Sequence, residues 1–234
     1  MKTALITGGS RGLGRHAALQ FAEAGYQVAV CGRTEGDLDE VVRDIHDIGG
    51  VATRGVFDIR DRNAVHTFVA EVEHNLGAID VLINNAGFSY YKPFVEWTGD
   101  ELDDVLDVNL KGTVYACHAV APLMIARKSG YIINIASDIG RRPIANMAAY
   151  VAAKHAVVGF TGSLYRELRE HDVKVSVVLP GIIDTHFGGT SPGSRDHHWS
   201  MKPEDVATVL LQMVQQPGNL VLDEVQLHPL GQEI

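Results

Sequence analysis

Ala4-Leu5-Ile6-Thr7-Gly8-Gly9-Ser10-Arg11-Gly12-Leu13-Gly14 opens the chain as an apolar run broken by a glycine cluster, and Arg15 to Ala24 then carries helical periodicity. Ala17, Ala18, Phe21 and Ala22 recur on one face, so the stretch reads as strand, turn, helix. Glycines at 8, 12 and 14 remove Cβ atoms where the chain bends sharply and where backbone can approach a pyrophosphate at a positive helix N-terminus. Their Gly-x-x-x-Gly-x-Gly spacing departs from the Gly-x-Gly-x-x-Gly fingerprint of many dinucleotide folds. Taken alone, such a cluster also suits a plain tight loop.

The same alternation continues outward from this turn. Gln27 to Cys31 reads as a second strand, 35–48 as a helix ended by Gly49-Gly50, and Ala52 to Phe57 as a third strand stopping at Asp58. Asp58 is also placed to cap the helix beginning near Arg62. Then come a helix over 62–76, a strand from Asp80 to Ile83, and helical periodicity from about Asp100 through Arg127. An apolar strand ends at Ser137, a helix runs from Tyr150 to about His171, and Lys174 to Leu179 forms the sixth strand. Pro203 to about Gln215 is the last helix and Asn219 to Leu227 the seventh strand. Strand-helix alternation predicts an α/β fold with one doubly wound parallel seven-stranded sheet, helices on both faces, and strand order 3-2-1-4-5-6-7.

At 234 residues the chain fits one domain, 1–234, with neither an internal repeat nor an interdomain linker. The stretch 186–200 mixes glycine, proline and polar residues without periodicity, and is expected to act as a mobile lid. Hydrophobic residues at 46% and charged ones at 21% exclude disordered and fibrous classes. With 20 basic against 29 acidic side chains, nucleic acid and anionic membrane are poor bulk partners, so any anion site is local. Cys31 and Cys117 fall in a predicted strand and helix, which suits buried free thiols in a reducing compartment. The N-terminus shows no signal-peptide pattern and no run spans a membrane, so the protein is read as cytoplasmic. His197-His198 lacks a carboxylate or cysteine at ligand spacing, and no metal is expected.

The chemistry concentrates between Ile132 and Val158. Tyr150 and Lys154 stand four apart on one helix, which sets a phenol and an ammonium on the same face. A free phenol titrates near pH ~10, so a nearby cation is expected to draw Tyr150 toward neutrality and let it trade protons at pH 7. Ser137, thirteen residues upstream at the carboxyl end of a parallel strand, is placed to hold a substrate oxygen beside it. Asn109, judged from its own residues alone, reads as a solvent-facing polar residue in a helix that disfavours it.

Together, Thr7-Gly-x-x-x-Gly12-x-Gly14, Asn84-Asn85-Ala86-Gly87, Ser137, Tyr150-x-x-x-Lys154 and Pro180-Gly181-x-x-x-Thr185 resemble the short-chain dehydrogenase/reductase family. The likeness spans essentially the whole chain and points to its branch similar to NADP-dependent 3-oxoacyl-carrier-protein reductases. It implies a Rossmann fold and a catalytic set of Asn109, Ser137, Tyr150 and Lys154. Tyr150 would donate a proton to a carbonyl oxygen that Ser137 orients. Lys154 would lower the phenol's pKa and grip the nicotinamide ribose, and Asn109 would distort its helix and hold a water.

The resemblance further implies a cofactor held by Thr7, Gly8, Ser10, Arg11, Gly12, Leu13 and Gly14. Asp58 and Ile59 would lie at the adenine, and Asn85, Ala86 and Gly87 at the ribose. Tyr150, Lys154, Pro180, Gly181, Ile183 and Thr185 would contact the nicotinamide half. Gly32 occupies the position where NAD-dependent relatives carry aspartate, and Arg33-Thr34 follows it, with Arg11 approaching from the glycine turn. Arginine suits a 2′-phosphate, so NADP(H) is expected over NAD(H). A partly apolar pocket is expected from Ser137, Ile139, Met147, Tyr150, Ile182 and Phe187, for a small ketone, aldehyde or matching alcohol.

Two other functions fit the sequence less well. A family epimerase or dehydratase usually has a different glycine spacing and a larger C-terminal region than follows Pro203. A non-catalytic dinucleotide sensor predicts erosion of the catalytic set, and none is seen. The helix after Lys154 carries no Lys, Arg, Asp or Glu until Arg166, which predicts burial on more than one side and hence a homodimer or homotetramer.

Overall fold

A computed structural model describes residues 1–232. Its strands are β1 (Thr3–Thr7), β2 (Gln27–Gly32), β3 (Ala52–Val56), β4 (Ile79–Asn84), β5 (Gly130–Ile135), β6 (Val173–Pro180) and β7 (Glu224–Leu227). They form one sheet in the order β3-β2-β1-β4-β5-β6-β7, with every neighbouring pair parallel. Helices α1 (Gly12–Glu23), α2 (Glu35–Asp47) and α7 (Pro203–Val214) cover one face. On the other lie α3 (Arg62–Leu76) and α5 (Gly112–Arg127), with α6 (Ala148–Leu168) reaching the same side through Leu168.

The two-residue side-chain period of the strands explains the division. Ile6, Val28, Val30, Ile83 and Ile133 pack with Phe21, Leu38, Ile45 and Leu210. Their neighbours Leu5, Ala29, Leu82 and Ile132 face Phe68, Val72, Val120 and Met124. Strands apolar at consecutive positions are what a parallel sheet buried on both faces requires. Cys31 and Cys117 are both buried and free.

Three sequence expectations need correction. The helix predicted from Asp100 through Arg127 is divided into α4 (Gly99–Leu106), a π-helical turn over Asp107–Lys111, and α5. The seventh strand begins at Glu224 rather than Asn219, since only Val177 to Pro180 of β6 offer it a partner. The cap of α3 is Asp61, whose carboxylate accepts from the Asn63 and Ala64 N–H groups, and not Asp58.

Candidate active site

The carboxyl ends of β1, β4, β5 and β6 open onto one crevice, at the point where the strand order reverses. Thr7 Oγ1 accepts the N–H groups of Asn85 and Ala86, each at 3.1 Å. Asn85 Nδ2 donates back to the carbonyls of Thr7 and Gly8, at 3.1 and 3.0 Å. The loops after β1 and β4 are thereby tied together. Gly8 (φ 65°) and Gly12 (φ 53°) adopt left-handed backbone, and a Cβ on Gly8 would stand 2.8 Å from Ala86 Cα.

Arg11 precedes α1 without capping it through its side chain, which leaves the first-turn N–H groups without a side-chain acceptor. This donor set fits a pyrophosphate, with glycines supplying the clearance. Thr185 lies across the turn, 3.3 Å from a Cβ built on Gly12. Arg11, Arg15, His16, Thr185, His186 and Lys202 line an adjoining cleft of about 480 Å³. Gly181 donates its N–H to the Leu227 carbonyl at 2.7 Å beyond Pro180, and Ile183 bridges to Met201.

Of the expected adenosine-side residues, Leu13 and Ile59 are buried packing residues, Ile59 being seated against Gly112. Arg33 is 64% exposed and its nearest carboxylate oxygen, on Asp58, lies 3.9 Å away. Asp58 is bound more tightly by Arg60, at 2.7 Å, and this hydrogen bond holds its carboxyl below the usual carboxylate range. Arg11 is exposed and forms no ion pair among the described residues. A Cβ on Gly32 would meet only Ser10 and Leu38, at 3.7 Å or more, so a larger side chain fits there. Thr34 is exposed just before α2.

Asn109 is fully buried, which corrects its reading as a solvent-facing residue. The π-helical turn swings it inward, where Nδ2 donates to the carbonyls of Phe88 (2.7 Å) and Val105 (2.8 Å). Its Oδ1 has no hydrogen-bond partner among the described residues and stands beside Gly87. Lys154 is 3% exposed, with Nζ donating to the Ile135 carbonyl at 2.8 Å. The same Nζ lies 3.6 Å from a Cβ built on Gly87, so its remaining N–H groups are placed for hydroxyls resting on that glycine.

Tyr150 and Lys154 do share one face, with Nζ 5.4 Å from the centre of the phenol ring. The expected downward pull on the phenol is reversed. Burial pushes the Tyr150 pKa up, the Asp138 charge adds to the rise, and Ser137 opposes it. Lys154 is itself desolvated, which lowers its pKa to about 7 and leaves it only partly charged at neutral pH. Ser137, in the turn after β5, donates toward Asp138 Oδ1 at 3.0 Å and the Pro180 carbonyl at 3.4 Å.

Ile139, Met147, Tyr150 and Phe187 gather in one apolar cluster, whereas Ile182 is exposed and stands outside it. Phe187 covers the phenol at a ring-centroid distance of 5.2 Å. Trp97 belongs to this cluster too and was not foreseen; its only sequence signal is its position in the polar approach to α4. Asp138, Gln232 and His228 were also missed, although a charged residue directly after a strand-end serine is itself a signal. Among the described residues no group of side chains is set to hold a metal ion, and no helix is long and apolar enough to cross a membrane.

Comparison with known proteins adds independent findings. The family model described as short chain dehydrogenase matches residues 2–194. An uncharacterized oxidoreductase of Staphylococcus saprophyticus is 34% identical over 231 residues, covering 98% of this chain and 97% of the relative. A 3-oxoacyl-acyl-carrier-protein reductase of Staphylococcus aureus is 40% identical over 184 residues, or 78% of this chain and 74% of the reductase. A metagenomic short-chain oxidoreductase solved in complex with NADP superposes with a TM-score of 0.86 at 34% identity, covering 97% of this chain and 96% of that one.

Proposed function

The chain belongs to the short chain dehydrogenase family and is an oxidoreductase acting between CH–OH and C=O; on that premise we propose that it reduces a small ketone or aldehyde with NADPH, using Tyr150 as the proton donor. The observation that carries this reading is the joint burial of Tyr150 and Lys154 beside Ser137, at the strand ends where such sheets bind ligands.

An upshifted phenol suits the acid half of the reaction. Tyr150 enters the cycle protonated and yields its proton as negative charge develops on the carbonyl oxygen. Phe187 and Trp97 help keep that oxygen in apolar surroundings, where a single proton donor counts for more. Ser137 orients the oxygen once its hydroxyl turns from Asp138 to the incoming carbonyl. Lys154, buried beside the phenol, binds ribose hydroxyls over Gly87 and supports the phenolate left behind. Thr7, the glycine turn, Asn85 to Gly87 and Thr185 hold the dinucleotide, whose nicotinamide supplies the hydride when bound.

NADP(H) is preferred over NAD(H) because Gly32 presents no carboxylate to a ribose 2′-hydroxyl, while Arg33 and Arg11 leave two exposed guanidinium groups near that position. The segment 186–200 serves as a lid on a single catalytic domain, and the exposed, uncharged face of α6 at Ala152, His155, Gly159 and Ser163 serves as a subunit contact. A cytoplasmic setting agrees with two buried free thiols. Following NADPH absorbance against a panel of ketones and aldehydes tests the reading. Turnover of at least one is expected, whereas tight NADPH binding with no turnover of any would favour a dinucleotide sensor.

A further inference from the structure

Asp138 stands between Ser137 and the segment after β7, and the chemistry just described makes no use of it. Its side chain is 12% exposed. Oδ1 accepts the Ser137 hydroxyl at 3.0 Å and the Ile139 N–H at 2.8 Å. Oδ2 accepts the Gln232 side-chain N–H at 2.6 Å, with His228 Nε2 at 3.4 Å behind it.

The pattern of donors requires a carboxylate here. The Ile182 N–H donates to Gln232 Oε1 at 2.9 Å, which fixes the orientation of that amide and turns its NH₂ toward Asp138. Both oxygens of Asp138 therefore face donors, and only an acceptor-only group satisfies them all. Gln232 in turn links the turn after β5 to the loop after β6. A buried carboxylate held this firmly, one residue from Ser137, has a cost that a merely structural turn does not need to bear.

We propose that Asp138 is a positioning residue of this active site: held by the Gln232 amide, it anchors the Ser137 hydroxyl and sets a fixed negative charge at the corner where Tyr150 works. The proposal rests on the reading of Tyr150 as the proton donor. A fixed negative charge in a water-poor corner disfavours a second one nearby: burial is the first cause of the rise in the Tyr150 pKa, and the Asp138 charge adds to it. The other ionisable groups at this corner are Lys154 from α6, His228 behind Oδ2, and the Arg141–Glu224 pair at 2.6 Å, joining the turn to β7. With Asp138 in place the acid form of Tyr150 persists well above neutrality, and alcohol oxidation, which needs phenolate, is confined to higher pH.

The test compares wild type with Asp138→Asn by two readouts. In the ultraviolet tyrosinate titration, subtracting the Tyr150→Phe spectrum in each background isolates the Tyr150 step. In kinetics, the pH profile of kcat/KM for oxidation of an alcohol substrate reports the same group in the working enzyme. The step and the rising limb are both expected at lower pH in Asp138→Asn. Asp138→Ser, which retains an acceptor for the Ile139 N–H, should shift them likewise and serves if the asparagine variant folds poorly. Superimposed titrations and profiles in a folded variant would overturn the proposal. Should Tyr150→Phe prove fully active, the reading of Tyr150 fails instead, and the spectroscopic step still decides whether Asp138 and Tyr150 are coupled.

Discussion

Lys154 Nζ donates to the Ile135 carbonyl at 2.8 Å and lies 5.4 Å from the centre of the Tyr150 ring, so the cation of this pair is anchored to the sheet rather than bonded to the phenol. Anchoring fixes where its remaining N–H groups point. Burial makes that placement costly, because one carbonyl replaces a full hydration shell and the ammonium pKa falls to about 7.

The cost should be visible in the stability of the cofactor-free protein. An unfolded lysine titrates near ~10.4, so between about 7 and that value the unfolded chain holds a proton that the folded one lacks. Stability attributable to Lys154 is therefore present above the unfolded value and lost as pH falls toward 7. Tyr150, whose value is raised rather than lowered, acts only above its ordinary range near ~10. Urea midpoints at pH 7 and pH 9 should rise more for wild type than for Lys154→Met. Parallel midpoints would contradict the assignment.

Cofactor choice is tested by changing the end of β2. Gly32→Asp with Arg33→Ala supplies a ribose acceptor and removes a phosphate donor, in a position where a Cβ meets nothing closer than 3.7 Å. Wild type is expected to favour NADPH and the double variant NADH, with roughly 1.5–3 kcal/mol lost for each charged hydrogen bond removed. An equal or lower KM for NADH in wild type would remove Arg11 and Arg33 from this role.

The uncharged outer face of α6 predicts a homo-oligomer. Ala152, His155, Gly159 and Ser163 are exposed along it, with Phe160 half-buried among them. Light scattering at micromolar concentration should give a dimer or tetramer mass, and replacing Gly159 with Arg should lower it. A monomer mass for wild type would refute the prediction.

The fold was legible in the sequence because the strands are apolar at consecutive positions and the turns are marked by glycine and proline. Thr7, Asn85 and Gly87 were legible for the same reason: short motifs there serve backbone geometry. The state of Tyr150 was not. Helical spacing correctly placed Lys154 on its face, but the sign of the phenol's shift depends on how deeply the phenol is buried and on the Asp138 charge. Asn109 was misread by its own residues because a π-helical turn rotates it inward, and periodicity at a fixed 3.6 residues cannot register that. Gln232 and His228 reach the site from the other end of the chain, a juxtaposition that only the folded topology creates.

The central claim is that Tyr150 delivers the proton, and Tyr150→Phe addresses it most directly, measured on whichever carbonyl of the panel wild type reduces. NADPH binding by fluorescence should be retained, since the ring and its apolar contacts remain. Turnover should fall by at least ~10²-fold, the scale of general acid catalysis, with Ser137→Ala losing less. Turnover equal to wild type, with the cofactor bound normally, would contradict the account.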